Sequence, residues 1–168
     1  MATADIAQPS QYLTFTLDND EFAVDIFKVR EVLEFTSVTR VPRTPEFMRG
    51  VINLRGKVVP VIDLRLKFGL TRTETTIDTC VIITEVLVRG ETTVLGALAD
   101  SVQEVIELEA KNIEPPPHMG TRVNIDFISG MGKRDEKFLI LLDIDRVLSE
   151  DETRAVAAAP AAGSLELS

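Results

Sequence analysis

The chain has 168 residues, 45% hydrophobic and 27% charged, enough for one compact domain or two small units sharing a core. Its net charge is -9 and its sequence pI is near 4.7. No Lys/Arg run is long enough to track a phosphate backbone, and with no Trp, a single Tyr12 and eight Phe mostly in apolar runs there is little on which to stack a base, so no nucleic-acid partner is expected.

Residues 1–10 lack a basic stretch followed by an apolar one, and no apolar run approaches the roughly 18 residues of a membrane span. The protein is therefore expected in the cytoplasm, without direct membrane insertion. The one cysteine, Cys80, lies in the apolar run CVII and reads as a small buried thiol.

In chain order, short β-branched and apolar segments alternate with turn residues, at 12–17, 21–25, 50–55, 57–64, 80–88, 92–99 and 138–144. The acidic turn around Asp18-Asn19-Asp20 joins the first pair. Arg55-Gly56-Lys57 joins the next, with Gly56 able to take the positive φ of a tight hairpin. Over residues 24–33, Ile26, Val29 and Leu33 have helical spacing, but the β-branched content predicts a strand interrupted by a turn. Pro60 lacks an N–H and predicts a sheet edge or a bulge. The polar stretch 69–78 reads as a linker, residues 145–152 as a short C-terminal helix, and 1–11 and 153–168 as flexible tails.

An internal repeat organises these segments. Val29-Arg30-Glu31-Val32 recurs as Val102-Gln103-Glu104-Val105, each copy followed by a proline-bearing loop. Phe47-Met48-Arg49-Gly50 returns as Phe127-Ile128-Ser129-Gly130, and Ile62-Asp63-Leu64 returns as Leu142-Asp143-Ile144 at the same distance from its Phe. The repeat predicts two related β units, about 12–68 and 79–148, within a domain spanning 12–150. Each is marginal alone, so they are expected to bury apolar faces against each other and leave a groove where a partner helix could dock.

Material for catalysis is sparse. The single histidine, His118, follows three prolines and reads as a solvated loop residue. No G-x-S-x-G, H-E-x-x-H, C-x-x-C or phosphate loop occurs, and Asp18, Asp20 and Glu21 lack the later glycine and glutamate of a calcium loop. No cofactor or metal is expected. The paired acids Glu31 and Glu104, or Asp63 and Asp143, are equivalent positions of the repeat and read as shared structure; a small hydrolase using such carboxylates is the alternative from another class.

The run GVINLRGKVVPVIDLR, residues 50–65, closely resembles the signature of the CheW family of chemotaxis coupling proteins. The likeness extends to Val41-Pro42, Pro45-Glu46-Phe47, Leu98 to Val105, Ile113 to Pro116 and Leu142-Asp143-Ile144, covering nearly all of residues 12–148. It implies an all-β fold of two SH3-like barrels around a shared core, with chemoreceptor cytoplasmic helices at the groove and the regulatory domain of a chemotaxis histidine kinase at a barrel end. It further implies a non-catalytic adaptor recruited to membrane receptor arrays. A CheW-like adaptor in a different kinase pathway is the nearer alternative. The length of 168 residues argues against a fused kinase or receiver domain, and neither is expected.

By the same resemblance, Arg55 is the arginine of the family's Asn-Leu-Arg-Gly hairpin and Glu31 an acid beside it, and such a pair can form a bidentate bridge. Asn53, Leu54 and Gly56 share that hairpin. Gly50 and Gly56 read equally well as backbone devices, and Val29, Val102 and Val105, which match groove-lining positions, read equally well as core. Ala97 and Ala99 stand where the family carries larger β-branched residues, which implies a shallower strand or groove.

Overall fold

The computed structural model describes residues 10–88, 90–115, 127–149, 151–152 and 155–156. Strands β1 (Ser10–Leu17) and β2 (Asp20–Asp25) form the first hairpin, and a single 3-10 turn, Ile26–Lys28, leads to β3 (Val29–Glu34). The expected interrupted strand over 24–33 is therefore present. A second hairpin, β4 (Met48–Leu54) and β5 (Lys57–Asp63), runs into the one-turn helix α1 (Leu64–Lys67). Then follow β6 (Cys80–Val88), β7 (Glu91–Ala99), β8 (Ser101–Leu108), β9 (Ile113–Glu114), β10 (Ile128–Arg134) and β11 (Lys137–Leu142).

The tight turns explain why the strands fold back where they do. Both central residues have positive φ at Asp18-Asn19, Arg55-Gly56 and Asp135-Glu136, the two-residue geometry whose twist matches that of paired strands. Asn and Asp tolerate this region; Arg55 and Glu136 occupy it at a cost of about 1 kcal/mol each.

Two sheets result, with strand orders β8-β1-β2-β11-β10-β9 and β3-β6-β7-β5-β4. This corrects the expected division at 69–78. The repeat is real in sequence, but each half lends its leading hairpin to the other half's sheet. Strands β1 and β2 join β8 to β11, through antiparallel pairing of β1 with β8 and parallel pairing of β2 with β11. In the same way β6 pairs antiparallel with β3, and β7 pairs parallel with β5.

Each sheet curls into an SH3-like barrel with its own small interior. One holds Ala23, Ile106, Leu108, Leu139 and Leu141; the other holds Val59, Val61, Val81, Ile83 and Leu98. The opposite faces of the same strands meet in a larger cluster between the barrels, which includes Leu13, Phe15, Phe22, Ile62, Ile82, Ala97 and Leu142. Burial on both faces accounts for the near-continuous apolar runs of β2, β5 and β7. Phenylalanine rings line that cluster, Phe15 to Phe22 to Phe68 to Phe127, with successive centroids 5.8, 5.9 and 5.7 Å apart.

Three further expectations need correction. Strand β5 lies between β4 and β7, so Pro60 is not on an edge strand. Its partner Val51 instead exchanges both backbone bonds with Thr39, at 2.8 Å each, so the Val51–Pro60 pair asks no N–H of the proline, and pairing with β7 begins only at Val61. The tails are also shorter than expected: Ser10 and Gln11 belong to β1, and Val156 is completely buried in the inter-barrel cluster. The expected short C-terminal helix is present but lies later than 145–152: a 3-10 turn spans Ile144–Arg146, and helical residues occur at 151–152 and 155–156. Ser149 and Glu152 form a reciprocal capping box there (Ser149 N–H to Glu152 Oε1 2.9 Å, Glu152 N–H to Ser149 Oγ 3.1 Å).

The Asp of each repeated Ile-Asp-Leu signature is a structural anchor. Asp63 and Asp143 each donate a backbone N–H to the carbonyl of the repeated phenylalanine, Phe47 or Phe127, and each caps the turn that follows. Asp63 is fully buried and also accepts from Thr73 N–H (2.9 Å), Thr73 Oγ1 (2.7 Å) and Arg49 Nη1 (3.3 Å), which fastens the 69–78 linker to the fold. Asp63→Ala strands these donors and is expected to cost about 3 kcal/mol. Chemical denaturation checks this; a loss under about 1 kcal/mol would contradict the anchoring role.

Candidate functional site

The β4–β5 hairpin is built to present Arg55. Asn53 Oδ1 accepts the Gly56 N–H at 2.8 Å and so holds the turn from inside. Gly56, at φ +85°, has open space where a Cβ would sit, so it is there for its backbone angle and not for room. Leu54 packs against the interior of its barrel and roots the tip. From this base Arg55 reaches across to β3, donating from Nη1 to Glu31 Oε2 at 2.7 Å and from Nη2 to Oε1 at 2.9 Å. The expected bidentate bridge is formed. The Arg55 side chain is 73% exposed, so the guanidinium is fixed in position while its outer side faces solvent.

The hydrogen bonds from Arg55 hold the Glu31 carboxyl below the usual glutamate range, and the carboxylate raises the Arg55 guanidinium in return. Because the folded pKa of Glu31 is lowered, the pair's contribution is complete above the ordinary glutamate pKa and is lost as pH falls through the folded value. Removing the guanidinium by Arg55→Ala is expected to return the Glu31 pKa upward to its ordinary range, read from the side-chain carboxyl 13C shift during an NMR pH titration. An unchanged midpoint would show that the bridge is not made in solution.

The other residues singled out from the sequence are not gathered at this tip. Gly50 sits at a β-bulge in β4, where a Cβ would come within 2.4 Å of the Thr39 carbonyl oxygen; its role is close backbone approach. Val29, at the start of β3, and Val102, on β8, pack against the inter-barrel cluster. Val105 is 48% exposed on the cluster-facing side of β8, opposite Leu13. Its repeat counterpart Val32, opposite Ile82, is 38% exposed in the equivalent place on β3. Ala97 and Ala99 are buried in the inter-barrel cluster, so their small size is accommodated in the core.

Sequence reading missed a second ion pair of the same design. Arg134, at the β10–β11 turn, donates from Nη2 to Glu104 Oε1 at 2.8 Å, and Glu104 is the repeat counterpart of Glu31. The signal was available in the repeat, but the arginine is shifted by one position: Leu54 aligns with Arg134 and Arg55 with Asp135. Glu31 and Glu104 are thus each held by an arginine on its own barrel, and do not form one carboxylate pair. His118 lies outside the described residues. Cys80 is partly buried; burial, the chief cause, pushes its thiol pKa up, and it donates to the Asp78 carbonyl at 3.3 Å. No helix among the described residues is long and apolar enough to cross a membrane.

Two SH3-like barrels that exchange hairpins around one core, with an arginine-tipped Asn-Leu-Arg-Gly turn, define a CheW-type interaction domain, and comparison with known proteins agrees. The family model described as CheW-like domain matches residues 11–152, and the chain belongs to that family. It is 39% identical over 146 residues to the chemotaxis protein CheW of Klebsiella aerogenes, covering 87% of this chain and 86% of that one. It is 33% identical over 159 residues to protein FrzA of Myxococcus xanthus, covering 93% and 96%. Among solved structures, the scaffolding protein TtCheW from Thermoanaerobacter tengcongensis superposes with a TM-score of 0.76 at 38% identity, over 86% of this chain and 95% of that one.

Proposed function

We propose that this protein is a non-catalytic chemotaxis scaffold that couples the cytoplasmic helices of chemoreceptors to the regulatory domain of a histidine kinase, working in the cytoplasm at membrane receptor arrays. The observation that carries the reading is the Arg55–Glu31 bridge. A non-glycine residue is held in a left-handed conformation, its guanidinium clamped from one side by a carboxylate and offered to solvent on the other. Strain of this kind, retained on an exposed hairpin, points to a residue positioned for a partner. The guanidinium also keeps donors for a carboxylate or carbonyl of that partner after binding Glu31.

The half-exposed valines extend the surface. Val32 and Val105 lie on the faces that turn toward the inter-barrel cluster, against which Val29 and Val102 pack, and an amphipathic helix would set its apolar stripe against such a face. Arg55 and Glu31 then supply polar register at the barrel end. The names of the relatives, chemotaxis proteins and a scaffolding protein, support the pathway and the role.

Exposed ion pairs contribute little to stability, so binding and folding are separable here. Arg55→Ala and Glu31→Lys are each expected to weaken capture of receptor cytoplasmic fragments or of the kinase regulatory domain about tenfold or more, with far-UV circular dichroism and melting temperature nearly unchanged. Affinities for both partners equal to those of the unmodified protein would remove this pair from the site.

A further inference from the structure

The loop between β3 and β4 encloses a second feature, at the opposite end of β4 from the Arg55 turn. Residues 40–46, with Met48 and Arg49 of β4, Leu66 of α1 and Arg72 of the linker, line a cavity of about 530 Å³. Four of the chain's 18 basic residues, Arg40, Arg43, Arg49 and Arg72, converge on it, against one carboxylate, Glu46. In a protein of net charge -9 this is a concentrated reversal of sign.

The arginines are arranged in depth. Arg49 is the inner one, with a side chain 13% exposed; its Nη1 donates to Asp63 Oδ2 (3.3 Å) and to the Thr73 carbonyl (3.0 Å), and the guanidinium carbon lies 5.9 Å from the centre of the Phe35 ring. Arg40, Arg43 and Arg72 form the outer rank, and none of them makes an ion pair among the described residues. The loop that carries two of them is shaped. Arg43 has φ +62°, Thr44 Oγ1 donates to the Val41 carbonyl at 2.9 Å, and the Met48 N–H donates to the Pro45 carbonyl at 2.9 Å.

Gathering like charges is unfavourable, and Arg49 registers it. Burial first, and then the nearby charge of Arg72, lower its guanidinium pKa, with Arg40 adding to the effect and Asp63 opposing it. An anion in the cavity would relieve that repulsion. Guanidinium forks match the oxygens of phosphate bidentately, and the cavity volume falls in the range of small-molecule sites. The lining holds no aromatic ring, so nothing there would stack a nucleobase.

We propose that this cavity binds a compact multivalent oxyanion, a di- or triphosphate group, with Arg40, Arg43 and Arg72 as its ligands and Arg49 as the fixed inner charge. The group can come from free inorganic polyphosphate or from the phosphoryl end of a larger metabolite. The proposal stands independently of the coupling function, since none of these residues lies at the 53–56 tip that carries Arg55 or on β3 with Glu31.

The test is titration of the full chain with inorganic pyrophosphate and, separately, with a nucleoside triphosphate, in buffer matched for ionic strength with sodium chloride. Calorimetry and amide chemical-shift mapping give the readouts. Saturable binding is expected, with shifts centred on Arg43, Thr44, Met48 and Arg72. Affinity should fall about tenfold or more in the Arg40→Ala/Arg72→Ala variant, while Arg146→Ala, an exposed arginine elsewhere, leaves it unchanged. Equal affinity for the nucleoside triphosphate and for inorganic triphosphate, titrated in the same way, assigns recognition to the phosphates alone, and preference for the nucleoside triphosphate assigns it to the larger molecule. The proposal is overturned by no saturable binding, by equal losses in the Arg146→Ala control, or by binding of a glutamate-rich peptide where pyrophosphate fails. Circular dichroism of the double variant separates loss of the site from loss of the fold.

Discussion

The architecture depends on two parallel ladders, β2 against β11 and β5 against β7, by which each half of the repeat completes the sheet of the other. Neither barrel can close from its own half, because the strands it lacks are carried by the partner half. The chain changes sheet at the Ile26–Lys28 turn and again between β7 and β8 at Asp100. Around the second crossing, Arg65 donates to Asp100 Oδ2 at 2.9 Å and to the Thr71 carbonyl at 2.9 Å, and stands 3.5 Å from Asp18. One partly buried guanidinium thereby ties the first hairpin, the crossing and the linker together.

The same exchange creates the large apolar cluster between the barrels, since strands crossing from either side bring their second faces to it. Lys67 sits at the junction, its ammonium 5.1 Å from the Phe47 ring centre and 5.5 Å from that of Phe127, the two equivalent phenylalanines of the repeat. Glu152 closes over it with contacts of 2.7 and 2.6 Å, and nearby Val156 is buried in the cluster. The result is a body with little freedom between its halves. For a scaffold this is the useful property: surfaces on different barrels keep a fixed relation, so partners can be held in defined geometry at no entropic cost from a hinge.

Much of this was legible in the sequence, for identifiable reasons. Alternation and turn chemistry are local, so most strands, the Asn-Leu-Arg-Gly turn and the interrupted strand before Val29 could be read directly. The bridge from Arg55 to Glu31 was read from family likeness combined with the geometry of guanidinium and carboxylate. The repeat, too, was visible. What it did not disclose is which hairpin joins which sheet, because a swapped and an unswapped arrangement satisfy the same local pattern and differ only in long-range pairing. Pro60 misled for a related reason: its tolerance inside the sheet is set by Thr39, twenty-one positions earlier, engaging the backbone of Val51. Val156 lay in an alanine-rich segment of low complexity, and only the cluster it fills makes it core. Arg134 escaped because the two turns share one register while the arginine stands one position earlier in the second, just before its turn instead of in it.

The central claim is that hairpin exchange merges two marginal barrels into one cooperative body that can carry partner surfaces in fixed relation. Differential scanning calorimetry of the full chain tests it most directly. The account predicts a single transition with a calorimetric to van 't Hoff enthalpy ratio of about one. Two resolved transitions, or a ratio well above one with each barrel melting separately, would contradict it.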